Sequence, residues 1–328
     1  MISEKILKSF SSKKVLVTGG TGLIGRQVVD ILVSTGADVR IVSLDKINVN
    51  DKAEHIFGDL THFDFCKEVT KGIDCTFHIA GIGASVQATV NHPASHFVPH
   101  LMMNTNVLEA SRLNGIEKLV YTSSIGAYAS AEVFVESDYS IDSKPMDFAG
   151  WAKRMAEMQV DAYKKEYGLK GYSIVRPANV FGPGDNFDPV NALVIPSLIS
   201  RIHRGDNPLV VWGDGSAIRD FVYSRDCAEG IILALYHGTG DGFMNLGSGK
   251  GYSIGELVET LHHIIDFNYV FDPEKPSGYP KRVMDISLAR EKIGYQPTTT
   301  LAEGLKATWE WYCKHRDEHK LKMNYFKE

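Results

Sequence analysis

The run Lys14-Val-Leu-Val-Thr-Gly-Gly-Thr-Gly-Leu-Ile-Gly25 restricts what this chain can fold into more than any other stretch. Its apolar first part, Lys14 to Thr18, reads as a buried strand. Arg26 to Thr35, with apolar residues at Val28, Val29, Ile31, Leu32 and Val33, reads as a helix that Gly36 stops. Between them, Gly20, Gly22 and Gly25 fit the spacing G-x-G-x-x-G, and Gly19, Gly22 and Gly25 fit the related G-x-x-G-x-x-G. One glycine makes the tight turn, one lets the backbone approach a pyrophosphate, and one lets the helix pack on its strand. The helix N-terminus then offers unpaired N–H groups to phosphates. A strand before such glycines and a helix after them is the context in which the pattern carries meaning.

The chain has 328 residues, 44% of them hydrophobic, enough for one large α/β domain or one domain with a smaller cap. A formal net charge of −5 and the lack of a basic run argue against a nucleic-acid surface. Met1 to Lys14 is polar and carries lysines, so no signal peptide is expected, and no apolar run reaches the length of a membrane span. Cys66, Cys75, Cys227 and Cys313 are scattered without a C-x-x-C pair. Neither disulfides nor a zinc site is expected, and the location expected is the cytoplasm.

Val39 to Ser43 reads as a second strand, whose end would meet the adenosine ribose of a dinucleotide. Asp45 suits the 2′-OH of NAD, whereas Ser43 with Lys46 leaves room for the 2′-phosphate of NADP, and both stay open. A third strand, Glu54 to Asp59, ends where Asp59 would suit the adenine amino group. Thr61 to Gly72 reads as a helix and Cys75 to Ala80 as a strand that runs into Gly81-Ile-Gly83, small residues where a cofactor can lie close to the backbone. His92, His96 and His100 recur every four residues, but Pro93 and Pro99 are expected to interrupt a helix there. No carboxylate or cysteine completes the set, so no metal is expected. A helix is expected over Met102 to Leu113, then a strand over Lys118 to Thr122.

That strand ends in Tyr121-Thr-Ser-Ser124-Ile-Gly-Ala-Tyr128, and Phe148-Ala-Gly-Trp-Ala-Lys153 opens a helix that runs to about Tyr167. A hydroxyl at the carboxyl end of a parallel strand, beside a lysine on the next helix, lies at the crevice where such sheets bind ligands. Together with the glycine turn, these segments resemble the extended short-chain dehydrogenase/reductase family, which modifies nucleotide-linked sugars. The resemblance spans nearly the whole chain. It implies a doubly wound parallel Rossmann sheet of the α/β class, NAD or NADP as cofactor, and a homodimer paired through helices at about 100–114 and 150–167. The dinucleotide would touch Gly19, Thr21, Gly22, Leu23 and Ile24, then Ser43, Asp45, Asp59, Leu60, Ala80, Gly81, Lys153, Pro177 and Asn179.

In that family a serine, a tyrosine and a lysine in a Tyr-x-x-x-Lys pattern serve the reaction. The phenol moves a proton at the sugar oxygen, the lysine lowers the phenol pKa, and the serine orients the oxygen. A carbonyl that accepts hydride becomes an alkoxide and must be protonated. The resemblance assigns Ser124 and Lys153, and puts Ala149 where the tyrosine belongs. Loss of a positioned general acid costs a factor of about 10² to 10⁴ in rate. Three readings follow: an engineered exchange, a proton passed by another group such as Tyr128 or a water, or a chain that has lost catalysis.

A sixth strand, Tyr172 to Arg176, leads into Arg176-Pro-Ala-Asn179. Beyond it, Gly184 to Pro196, Val211 to Asp220 and Phe271 to Asp285 resemble runs of the GDP-fucose synthase branch. By carry-over Val194, Leu198, Arg201, Trp212, Arg219 and Lys275 would hold the nucleotide diphosphate of a substrate whose sugar also meets Ser124 and Asn179. Arginine suits the task because its fork grips phosphate at two points. Leu193 stands where that branch has a proton-relaying histidine, and no cysteine lies in Ser123 to Tyr128, which argues against double epimerisation. Ile125 and Gly126 stand where the 4,6-dehydratases have an Asp-Glu pair, which argues against dehydration. The expected organisation is a dinucleotide-binding part, 1–178, to which later segments return, and a smaller, mainly substrate-binding C-terminal part, 179–328. Helices are expected over Asp226 to Tyr236, from Ser253 to Ile265, over Asp285 to Gly294 and over Leu301 to His315, with a short strand at Met244 to Gly247. The charged tail from His315 to Glu328 is expected in solvent.

Overall fold

In the computed structural model, which describes residues 2–83, 86–188 and 191–323, the opening strand lies inside a seven-stranded sheet. Its strands are β1 Lys14–Thr18, β2 Asp38–Ser43, β3 Glu54–Phe57, β4 Cys75–His78, β5 Lys118–Thr122, β6 Tyr172–Pro177 and β7 Met244–Leu246. Their order is β7-β6-β5-β4-β1-β2-β3, and every pairing is parallel. A parallel sheet covered on both faces needs near-continuous apolar strands, and Val15, Leu16 and Val17 are fully buried. The chain winds outward from β1 to β3, then returns to the far side of β1 as β4. The carboxyl ends of β1 and β4 therefore diverge, and a crevice opens between them.

Two helix expectations change. Phe63–Val69 is shorter than the run Thr61 to Gly72. More consequential, a single helix spans Pro93–Leu113 and continues through Pro99. Pro93 lies in its first turn, where a missing N–H costs nothing. Pro99 removes one interior hydrogen bond, a cost of about 3 kcal/mol. Buried contacts of His96 and His100 on either side hold that turn in place.

A second body of structure stands beside the crevice. Strand Asn179–Phe181 pairs with Phe221–Tyr223, and Leu209–Trp212 pairs with Tyr269–Asp272. Four short strands, Tyr252–Ser253, Ile218–Arg219, Lys281–Met284 and Val133–Phe134, make another sheet. Helices Val194–Arg204, Ile254–Ile264 and Leu301–His315 pack over a separate apolar cluster that includes Phe181, Phe187, Ile199, Leu257 and Leu305. Ser253 and Thr300 each close a capping box with the glutamate three residues on, which fixes where these last two long helices start. Helix Ser224–His237 packs on the main sheet, as do residues of Ser287–Ile293. Among the described residues no helix is long and apolar enough to cross a membrane.

Below the carboxyl ends of β5 and β6 sits a buried ion pair. Arg176 is fully buried, and its guanidinium grips Glu157 at two points, 2.9 Å from Oε1 and 2.6 Å from Oε2. Ser123 Oγ donates to the same carboxylate at 2.5 Å. The guanidinium also lies 3.7 Å from the ring centre of Phe243 and 4.2 Å from that of Tyr128. This pair ties helix Phe148–Tyr167 to the sheet under the crevice. Glu157→Leu leaves Arg176 buried and unpaired, and is expected to remove about 3–5 kcal/mol of stability, read by urea unfolding. An unchanged midpoint would show that the pair contributes nothing.

Candidate active site

The crevice is walled first by the glycine turn. Gly19 has φ +68°, and its carbonyl accepts from Gly22 N–H at 3.0 Å. A Cβ on Gly25 would lie 2.1 Å from the Gly19 carbonyl oxygen, and one on Gly19 would lie 2.7 Å from Ala80 Cα. No side chain fits at either position, so helix Gly25–Ser34 starts directly against the turn and aims its N–H groups into the crevice. Thr21 Oγ1 lies 2.7 Å from Ser43 Oγ and donates to Asp45 Oδ2 at 3.3 Å. Asp59 and Leu60 follow along the same wall, with Asp59 Oδ1 accepting from Thr61 N–H at 2.8 Å.

The opposite wall is the end of β4. Burial pushes His78 down to about 3, so its ring is neutral. Its Nε2–H then donates to Asn104 Oδ1 at 3.0 Å, and Nδ1 accepts from Thr18 Oγ1 at 2.7 Å. Thr18 Oγ1 in turn accepts from the N–H groups of Ile79 and Ala80, both at 3.2 Å. These bonds tie the backbone before Gly81 to β1 and to the helix Pro93–Leu113.

The spaced histidines serve the same wall. Burial and the Lys153 charge hold His100 well below its ordinary pKa, and its Nε2 accepts from Ile82 N–H at 3.0 Å. His96 Nε2 bonds the Ile82 carbonyl at 3.0 Å. The two rings thus engage the peptide groups on either side of the Ile82 Cα, while His92 stands just before the helix. Among the described residues no group of three metal-ligating side chains comes together.

At the floor, Ser124 faces the crevice, and its Oγ accepts from Gly126 N–H at 3.1 Å. Lys153 Nζ donates to the Thr122 carbonyl at 2.9 Å and lies over the Tyr121 ring. Burial lowers Lys153 to about 8, against the pull of Glu157. Ala149 sits one turn before Lys153 on the same helix face. Tyr128 is not a substitute. Its hydroxyl donates to Asn245 Oδ1 at 2.8 Å inside the core, it is 5% exposed, and burial raises its pKa. The short turn Ile125–Ala127 after Ser124 carries the phenol inward, away from the crevice.

Pro177 and Asn179 complete the floor, so every residue expected at the dinucleotide lines this one cleft. The residues expected at the nucleotide diphosphate lie elsewhere. Leu198 is 3% exposed and belongs to the second apolar core, so it supports the neighbouring surface from beneath. Arg201 is engaged by Asp206 at 3.2 Å, and Val194 opens the same helix. Trp212 is 60% exposed, Lys275 is exposed, and among the described residues Arg219 donates to the carbonyls of Ile218 and Ser277. Arg219 is paired in register with Arg282, a residue the sequence reading missed. Burial lowers both guanidiniums, and neither has a carboxylate at ion-pair distance among the described residues. Asp185, Asn191 and Lys322 were missed as well, because they reach the cleft from loops and from the tail.

The profile of the NAD dependent epimerase/dehydratase family matches residues 15–247. This chain belongs to that family. Its members are enzymes of the short-chain dehydrogenase type that act with NAD on nucleotide-linked sugars. The chain is 29% identical over 313 residues to a GDP-L-fucose synthase from Sinorhizobium fredii, covering 92% of this chain and 96% of that one. It superposes on UDP-glucose 4-epimerase from Thermotoga maritima, solved with UDP-glucose, with a TM-score of 0.81 at 31% identity, covering 92% and 99% of the two chains. An epimerase from Methanothermobacter thermautotrophicus gives a TM-score of 0.87 at 26% identity, over 96% of both chains.

Because Lys153 gives up its proton near pH 8, a dinucleotide held by its ammonium should bind more weakly in base. Between about pH 7 and about pH 9, NADH affinity by calorimetry is expected to fall roughly tenfold in the parent and to stay level in Lys153→Met. A parent with pH-independent affinity would contradict this.

Proposed function

We propose that the chain transfers hydride at C4 of a GDP-linked keto or deoxy sugar, as a reductase or a C4 epimerase, with NAD or NADP in the crevice. The observation that carries the reading is the convergence of the glycine turn, Ser124 and Lys153 on one cleft at the strand ends. The residues present fit a dinucleotide. The turn is shaped by two glycines at which a Cβ would collide, and three polar atoms on the wall, Thr122 Oγ1, Asp185 Oδ2 and Asn191 Oδ1, are buried without a partner among the described residues.

In this reading the helix N-terminus at Gly25 holds the pyrophosphate, Ser43 and Asp45 meet the adenosine ribose, and Asp59 meets the adenine. Lys153 holds the nicotinamide ribose, and Ser124 orients the sugar oxygen. The nicotinamide, when bound, exchanges a hydride with the sugar carbon. Arg219 and Arg282, partners in strand register, hold the diphosphate, with Lys275 close in sequence to Ser277, whose carbonyl Arg219 engages, and Trp212 as a face for the base. Residues 1–178, with the segments that return to them, serve the dinucleotide, and 179–328 mainly the sugar nucleotide. The likeness to GDP-L-fucose synthase across 92% of the chain supports the GDP base. The likeness to a UDP-glucose 4-epimerase supports a second reading, a UDP- or dTDP-sugar epimerase. Ala149 supports a third, a protein that binds these ligands without turnover. The chain acts in the cytoplasm as a homodimer: Val98, Met102, Met155 and Met158 are exposed on the two helices expected at the pair interface.

Two experiments test this. Ala149→Tyr restores the phenol one turn from Lys153, and is expected to raise turnover of GDP-linked 4-keto-6-deoxy sugars by about 10² to 10⁴. Equal rates in parent and variant would remove the claim that a missing phenol limits the chemistry. In a binding panel GDP is expected to bind more tightly than UDP or dTDP, and preference for UDP would replace the GDP reading with the second.

A further inference from the structure

The charged end of the chain does not trail into solvent. After helix Leu301–His315, a turn over Glu318–Leu321 brings it back to the dinucleotide cleft. Three contacts fasten it there. Glu318 Oε1 meets Arg26 Nη2 at 2.5 Å, with side chains 17% and 9% exposed. Lys322 Nζ donates to the carbonyls of Gly184 at 2.6 Å and Asp185 at 3.2 Å. Met323 N–H donates to Asp45 Oδ1 at 2.7 Å. The partners belong to three separate walls: the helix behind the glycine turn, the end of β2 and the loop after strand Asn179–Phe181. Arg26 is the joint. It also donates to the Thr21 carbonyl at 2.9 Å and lies 5.2 Å from the ring centre of Trp311 on the last long helix.

An ammonium has three N–H donors, and the two carbonyls occupy two of them. Lys322 lines the cleft beside Asp185, which is 7% exposed and whose Oδ2 is buried without a partner among the described residues. Burial and the Arg26 charge lower the Lys322 ammonium, and burial raises the Asp185 carboxyl to about 7. An anion beside Lys322 and a hydroxyl beside Asp185 would each relieve that cost. A phosphate flanked by ribose hydroxyls has this pattern of acceptor and donor.

We propose that Glu318–Met323 is a built part of the dinucleotide site, in which Lys322 holds a phosphate of the bound dinucleotide and Asp185 accepts from a ribose hydroxyl. Glu318 is a positioning residue, since its pair with Arg26 sets where Lys322 lies. The proposal rests on the dinucleotide reading above and adds a wall to that site.

The test is titration calorimetry of the full chain with NADH, NADPH and, as a control, GDP. Lys322→Met is expected to weaken dinucleotide binding on the order of tenfold, as loss of a hydrogen bond to a charged group does, and to leave GDP affinity unchanged. Lys322→Arg is expected to keep most of the affinity. Glu318→Gln is expected to weaken the same ligands to a smaller extent. Equal losses for NADH and NADPH assign Lys322 to the pyrophosphate, and a loss confined to NADPH assigns it to the 2′-phosphate. In the parent, added NADH is expected to slow tryptic cleavage after Lys320 and Lys322, followed by mass spectrometry. Unchanged dinucleotide affinity in Lys322→Met overturns the proposal. So does a parallel loss of GDP binding, which would mean general destabilisation. A parent that binds GDP but neither dinucleotide overturns the cofactor reading itself and is recognised as such.

Discussion

A helix can begin within a few residues of a buried strand only if no side chain stands between them. Here that condition is met at Gly25, where the space left for a Cβ is closed by the Gly19 carbonyl at 2.1 Å. The contact places the N-terminus of helix Gly25–Ser34 directly at the end of β1. Since β1 lies between β4 and β2 at the reversal of strand order, that N-terminus also lies at the mouth of the crevice. The phosphate-binding surface and the opening that receives the ligand thus have one origin.

The remaining walls are held by hydrogen bonds between buried polar groups. Thr18, His78 and Asn104 fix the end of β4, and His96 and His100 fix the backbone N–H and carbonyl of Ile82. Glu157 and Arg176 fix the floor through Ser123. Such networks cost desolvation, and removing one member strands the others. Their effect is to hold the backbone at Ala80 to Ile82 and the end of β5 in place, so that Ser124 and Lys153 line the same cleft. The adjacent serines divide the work: Ser123 is buried against Glu157, and Ser124 faces the cleft.

The same surroundings explain why Ala149 matters. Lys153 remains in place, desolvated, with its ammonium on the Thr122 carbonyl. What the position lacks is a proton-bearing side chain, and Tyr128 is turned into the core by the residues that follow Ser124. The histidine triplet illustrates a similar limit on pattern reading. Four-residue spacing correctly puts His96 and His100 on one face, but the face meets a backbone amide and carbonyl.

Local pattern determined the glycine turn, the strands of the sheet and helix Phe148–Tyr167, because periodicity, glycine spacing and capping residues act over a few neighbours. It also determined that Ser124 follows β5 and that Lys153 lies one turn from Ala149. Tertiary structure alone decided the rest. Helix Pro93–Leu113 passes through Pro99 because burial outweighs one missing hydrogen bond. Leu198 belongs to a core and Arg282 stands beside Arg219, since strand pairing between distant segments sets their company. The charged tail joins the cleft because Arg26, some 292 residues earlier in the chain, offers Glu318 a partner shielded from water. Attraction between groups so far apart in sequence leaves no local trace, and only the folded chain brings them within reach.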